Sequence, residues 1–146
     1  MSNELSAAIL RQTLALVKAN GGQFTPEHGE LLATIYSDEA EMALLQAASE
    51  LVEKNGVVCM TAIPSGRSFV RVSSQSHQGS SGKPSFYICF PHYCSCAAFL
   101  HTAVHSKSIM CKHILAALLA DSIGKVHVES VLDAAYADLL CPLLSE

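Results

Sequence analysis

One arrangement constrains this chain more than any other: Cys94-Ser95-Cys96, then fourteen residues, then Cys111-Lys112-His113. Read as Cys-x-Cys…Cys-x-His, it offers three thiolates and one imidazole. That is a donor set for a closed, tetrahedral structural zinc site, with Zn–S of about 2.3 Å and Zn–N of about 2.0–2.1 Å. The spacing carries its own geometry. Side chains alternate along an extended segment, so Cys94 and Cys96 point to one side and Ser95 to the other. Positions two apart in a helix do not share a face, so Cys111 and His113 cannot both lie inside a regular helix and reach one ion. The spacing therefore places Cys111 at the start of a helix and His113 in its first turn. Unpaired backbone N–H groups there can donate to the thiolates, and the helix dipole favours their charge. With a divalent ion and a neutral imidazole, the site keeps about one negative charge. Lys107 and Lys112 are near enough in sequence to offset part of it.

The same residues admit other readings. The chain has six cysteines, which could form disulfides. The sequence shows no signal-peptide pattern, so a reducing compartment is the default expectation. The cysteines could be ordinary buried thiols. His101 and His105, four apart on one helical face, could replace the Cys111/His113 pair, and His92 stands beside the first cysteines as an alternative ligand. A catalytic Cys–His pair would need a third orienting group and a cleft.

Tyr93-Cys94-Ser95-Cys96-Ala97-Ala98-Phe99 and Met110-Cys111-Lys112-His113-Ile114-Leu115-Ala116, with an apolar helix following, resemble the SWIM zinc finger. Within that family the chain is most similar to the small SWIM-domain subunit of the Shu-type homologous-recombination complex. Members of that branch are of similar length, have a helical N-terminal half, and carry a turn like Ser65-Gly66-Arg67 before the finger. The likeness is strong over residues 87–120 and weak before residue 60, and the Ser/Gly loop at 73–85 is looser than the family pattern. The resemblance implies one structural Zn2+ on Cys94, Cys96, Cys111 and His113. It also implies a nuclear, non-enzymatic subunit that binds a RecA-fold recombinase paralogue. Such a subunit promotes recombinase filament assembly on single-stranded DNA, which it meets through the complex. SWIM fingers of other branches imply two alternatives: a protein-interaction adaptor of a ubiquitin ligase, or an autonomous DNA-binding module. No Gly-x-x-x-x-Gly-Lys-Ser/Thr phosphate loop occurs, so nucleotide chemistry would belong to the partner.

Before the finger the chain reads as helices. Ser2 can cap a first one, with Leu5, Ile9, Leu10, Leu14, Leu16 and Val17 as a broad apolar face and Gly21-Gly22 as its stop. Thr25-Pro26-Glu27 starts a second, at which His28 is a helix-start residue rather than a ligand. Ser37-Asp38-Glu39 opens a third, ending at Lys54-Asn55-Gly56. At Val57 the period changes to that of a hairpin, 57–63 and 68–72 around Pro64-Ser65-Gly66-Arg67. A third strand, 86–90, leads to the first metal pair. Cys59 and Cys89 lie in strand patterns and read as core thiols. A short helix and then a polar loop at 105–108 are expected between the pairs. A helix follows His113 to about Ser122, with Gly124 as its stop. Ser130-x-x-Asp133 resembles a capping box, and the last helix closes at Pro142. The expected fold is α+β: N-terminal helices (1–56), a small antiparallel three-stranded sheet with the zinc-stapled finger (57–122), and a C-terminal helix (123–146).

Charge bears on the partner. Residues 1–56 hold three Lys/Arg against eight Asp/Glu, residues 57–120 five against none, and residues 121–146 one against five. The finger region is the one positive zone of an acidic chain with pI about 5.9. This permits phosphate contact without a dense basic cluster. Arg67 and Arg71 share a strand face, either toward phosphate or simply toward water. Charged residues make up 15% of the chain and apolar ones 50%. Such a chain either has an Ala-rich helical core or hides surface against a partner. No apolar run is long enough to span a membrane.

Overall fold

In the computed structural model, Ser2 caps α1 (Asn3–Ala19), its hydroxyl accepting the Leu5 N–H at 3.1 Å. The structure describes residues 2–73, 86–90, 92–96 and 109–144, with only the backbone at 141–144. The loop expected at 73–85 and the helix and polar loop expected between the ligand pairs fall almost wholly outside the described residues, as do Lys83, His101, His105 and Lys107. The apolar face of α1 divides. Leu10, Leu14 and Val17 are buried, while Leu5 and Leu16 remain 52% and 50% exposed. Past the helix, Gly22 has φ +81° and bonds back to the Val17 carbonyl. A Cβ there would lie 3.2 Å from Ile123 Cα, so the turn also needs a small residue for this close approach.

Thr25 caps α2 (Pro26–Ile35) through a capping box in which a histidine stands where glutamate is usual. Thr25 Oγ1 accepts the His28 N–H at 3.3 Å, and His28 Nδ1 accepts the Thr25 N–H at 3.1 Å. Asp38 caps α3 (Glu39–Glu53) through the Ala40 N–H. The helix gives way to Asn55 in the left-handed region and then to Gly56.

Four strands follow as an antiparallel meander: β1 (Val57–Ile63), β2 (Ser68–Ser73), β3 (Phe86–Phe90) and β4 (Tyr93–Cys94). The expected three-stranded antiparallel sheet is in fact five-stranded and mixed, in the order β4-β3-β2-β1-β5. The fifth strand, β5 (His127–Leu132), runs parallel to β1. The helix α4 (Lys112–Ile123) explains the direction. It packs on the sheet and on α1 and α3, and a helical crossover is what delivers a chain parallel to an earlier strand. Ser130 and Asp133 consequently form no capping box. Ser130 pairs with Thr61 in the sheet, and Asp133 Oδ1 accepts from the Ser65 hydroxyl at 2.7 Å, tying β5's end to the β1–β2 turn. Val131 and Leu132 are strand residues, and the last helix, α5 (Asp133–Leu144), begins after them. Pro142 does not close it, because a proline in the final turn forfeits one backbone bond without stopping the chain.

Strand alternation divides the interior in two. On one face Val57, Val72 and Cys89 meet Leu10, Leu51, Leu115 and Ala116 of the three helices α1, α3 and α4. On the other, Met60, Ala62, Phe69 and Ile88 lie under Tyr136 of α5, whose ring meets Phe69 edge-on at 5.5 Å. Ala116 and Ala120 are fully buried, so the small residues of α4 admit elements of this same chain.

The helical layer contains one polar anomaly. Tyr36, after α2, is buried, and among the described residues neither its hydroxyl nor the buried Glu41 Oε2 has a hydrogen-bond partner. Burial, and then the Glu41 charge, push the Tyr36 phenol above its ordinary range. Tyr36→Phe removes an orphaned hydroxyl. It is expected to leave stability unchanged or to raise it by about 1 kcal/mol, read by urea denaturation of the zinc-loaded chain. A clear loss would mean that the hydroxyl has a partner in solution.

Candidate metal centre

The first two cysteines are placed by a hairpin. Ser95 N–H bonds the Ile88 carbonyl at 3.1 Å, and Ser95 Oγ accepts the Ile88 N–H at 3.0 Å. This double anchor holds Cys94 at the end of β4 and bends the chain so that Cys96 follows onto the same side. The second pair comes from the start of α4. Cys111 is its N-cap, in extended conformation, and His113 lies in the first turn. Cys111 makes no side-chain capping bond. The expected donation from the free amides of the first turn shows instead in the electrostatics: the Ile114 N–H acts on the Cys111 sulfur and works to lower its pKa.

The donor atoms of Cys94, Cys96, Cys111 and His113 all lie within 4.8 Å of one another, and all four residues are buried. Around a tetrahedral ion with bonds of about 2.3 Å, sulfurs stand about 3.8 Å apart, so the cluster needs little contraction to close on an ion. Two observations test the fit. Among the described residues neither ring nitrogen of His113, both buried, has a partner, which is costly unless something accepts from or binds one of them. The thiols also resist ionising alone. Contacts with Cys94 and then Cys96, followed by burial, push the Cys111 thiol far above its ordinary range. At Cys94 the Cys111 contact lowers the pKa, but contacts with Cys89 and Cys96 and burial more than offset it. A cation among the sulfurs would offset these shifts and favour the thiolate form of Cys94 and Cys111. The residues fit one zinc ion, which would supply that charge and cross-link β4 to α4. Four protein donors complete its coordination and leave no position for substrate.

Residues 90–121 match the SWIM zinc finger family. The chain carries a SWIM zinc finger. It is similar to zinc finger SWIM domain-containing protein 7 of Danio rerio, 38% identical over 96 residues that cover 64% of this chain and 63% of that protein. It is also similar to the proteins of that name from Mus musculus, 36% identical over 64% of this chain and 58% of theirs, and Homo sapiens, 35% identical over 64% and 63%. The matches thus span less than two thirds of these relatives' length. No solved structure matches.

Around the SWIM finger the other candidates find different places. His92 lies outside the four-donor cluster. Cys59, half-buried on β1, meets the Thr61 hydroxyl at 3.8 Å. The side chain of Cys141 lies outside the described residues. Arg67 and Arg71 sit on the α5 side of the sheet, each over an aromatic ring: Arg67 over Tyr136 at 5.0 Å, Arg71 over Phe86 at 4.9 Å. Arg71 also pairs with Glu129 of β5 at 3.5 Å.

Sequence reasoning missed two neighbours of the finger. The Tyr87 ring packs on His113 with centroids 4.4 Å apart, and so helps to orient the imidazole. Cys89 Sγ lies 3.5 Å from Cys94 Sγ. The second contact was legible in principle, because the two cysteines are only five apart: Phe90 pairs with Tyr93, which sets Cys89 opposite Cys94. Among the described residues no helix is long and apolar enough to cross a membrane.

Proposed function

We propose that this chain is a non-enzymatic, nuclear subunit of a homologous-recombination complex. In this reading it binds a RecA-fold recombinase paralogue and promotes recombinase filament assembly on single-stranded DNA. The resemblance of the two ligand segments to the Shu-type branch names the partner class. The observation that carries the reading is the closed site: four buried donors hold a scaffold together and offer nothing to a substrate, so the working part of the molecule is its surface. That surface is apolar on the helical side. Leu5, Leu16, Leu31 and Met42 are exposed on α1, α2 and α3. A groove of about 330 Å³ opens between α2, α3 and α4, lined by Phe24, Leu32, Leu45, Leu119 and Ile123 among others. Exposed apolar area of this kind suits a protein partner. With Arg71 engaged by Glu129 and both arginines laid on aromatic rings, the positive zone is less available to phosphate than the charge count suggests, which favours DNA contact through the complex.

The test is an affinity pull-down from nuclear extract, comparing wild type with Cys94→Ser/Cys96→Ser and identifying partners by mass spectrometry. Recovery of a RecA-fold ATPase with the wild type alone is the expected result. Recovery of ubiquitin-ligase subunits, or of no ATPase, would overturn the recombination reading and leave the zinc finger intact.

A further inference from the structure

Among the described residues, Cys89 is the one cysteine touching the metal centre that the donor set does not use. It is buried at 2% exposure on β3, faces the helical layer, and touches the Cys94 sulfur at 3.5 Å. The backbone around the contact is that of a cross-strand disulfide. Cys89 and Cys94 are directly opposed in antiparallel register. The Ser95 N–H bonds the Ile88 carbonyl, so the neighbouring pair, 88 with 95, is of the hydrogen-bonded kind. Alternation then makes 89 with 94 a non-hydrogen-bonded pair, whose Cα atoms stand about 4.5 Å apart with side chains close. A disulfide needs Cα atoms roughly 4.4–6.8 Å apart, so the bridge forms without moving either strand. A donor thiolate and a spare thiol thus stand side by side.

We propose that Cys89 and Cys94 are a redox modification site, at which hydrogen peroxide or a related hydroperoxide converts the pair to a disulfide and removes Cys94 from the zinc donor set. The Cys94 thiolate attacks the peroxide O–O bond, forming Cys94 sulfenic acid and releasing hydroxide. The Cys89 sulfur, giving up its proton to that hydroxide, attacks the sulfenic sulfur. The S–O bond breaks, the S–S bond forms, and hydroxide leaves, so one thiolate, one thiol and one peroxide give the disulfide, one water and one hydroxide. Two thiol sulfurs lose two electrons and one peroxide gains them. Both sulfurs are buried, so the oxidant acts on locally opened molecules. The adjacent thiol matters because a sulfenic acid without a resolving partner proceeds to sulfinic and sulfonic acids, which thiols do not reduce. Cys89 makes the loss of the donor reversible. The inference concerns the metal centre alone and stands whichever partner the chain binds.

The test uses the zinc-loaded full chain, titrated with hydrogen peroxide and quenched with N-ethylmaleimide. Zinc release is followed with a chromogenic chelator. Chymotrypsin cuts after Tyr93 and so separates Cys89 from Cys94, and the linked peptides are sequenced by mass spectrometry. The wild type is expected to give a Cys89–Cys94 peptide in proportion to zinc released, and to regain its zinc after dithiothreitol. Cys89→Ser and Cys89→Ala are expected to lose zinc with Cys94 as sulfinic acid and to regain little of it. If one variant fails to load zinc, the other supplies the comparison, and the wild-type linkage map decides independently. Wild-type bridges from Cys94 to Cys96 or Cys111, or equal recovery of zinc in the variants, would overturn the proposal.

Discussion

His113→Ala is expected to purify with far less than one zinc per chain, and to lose the folded finger while α1 to α3 keep their helicity. Structural zinc sites of this type contribute roughly 10–16 kcal/mol of apparent binding free energy at neutral pH, which exceeds the whole stability of an ordinary domain. Losing one of four donors forfeits several kcal/mol of it. It also leaves three crowded sulfurs with a weakened claim on the ion, and burial and mutual contact already raise the pKa of two of them, Cys94 and Cys111. The Tyr87 ring loses its packing partner in the same step. Metal analysis gives the zinc content directly. Hydrogen exchange tells whether protection vanishes over β3, β4 and the first turn of α4 but persists in the N-terminal helices. A variant with full zinc and an unchanged exchange pattern would remove His113 from the donor set.

Leu115→Ala is the second large effect, and it separates the core from the metal. Leu115 is fully buried one turn past Cys111, in the cluster shared by α1, α3 and the sheet. Truncation of such a residue costs about 2–5 kcal/mol, because the transfer energy is lost and the surrounding packing cannot fully collapse. For a chain of this size each kcal/mol lowers Tm by about 2–4 °C. A fall on the order of 10 °C is expected at unchanged zinc stoichiometry, read by calorimetry alongside metal analysis. Leu16→Ala is the control. Its side chain is half exposed on the surface stripe of α1, and it should shift Tm little. Equal effects from the two substitutions would mean that α4 is not the centre of the helical layer.

The two ligand pairs were legible because their geometry is local. A Cys-x-Cys in extended chain and a Cys-x-His at a helix start each bring two donors together within three residues, and the structure gathers all four. The helix caps at Ser2, Thr25 and Asp38 and the β1–β2 hairpin were legible for the same reason, since each rests on bonds between near neighbours. Residues 127–132 were misread. Ser130 and Asp133 carry a capping-box spacing, and nothing local in Val128, Val131 and Leu132 separates an edge strand from the first turn of a helix. The vacant edge of β1, reached by way of α4, chose the strand.

The sequence by itself determined the kind of chemistry: which residues offer donors that could hold one ion, and that helices precede a sheet. Only the tertiary structure decided what surrounds that chemistry. It set β5 parallel to β1, laid Arg71 against Glu129 fifty-eight residues away, and packed Tyr87 on His113. The physical reason is range. Turns, caps and ligand pairs draw their energy from residues a few positions apart, whereas strand order, ion pairing across the sheet and burial depend on which distant segments compete for the same face.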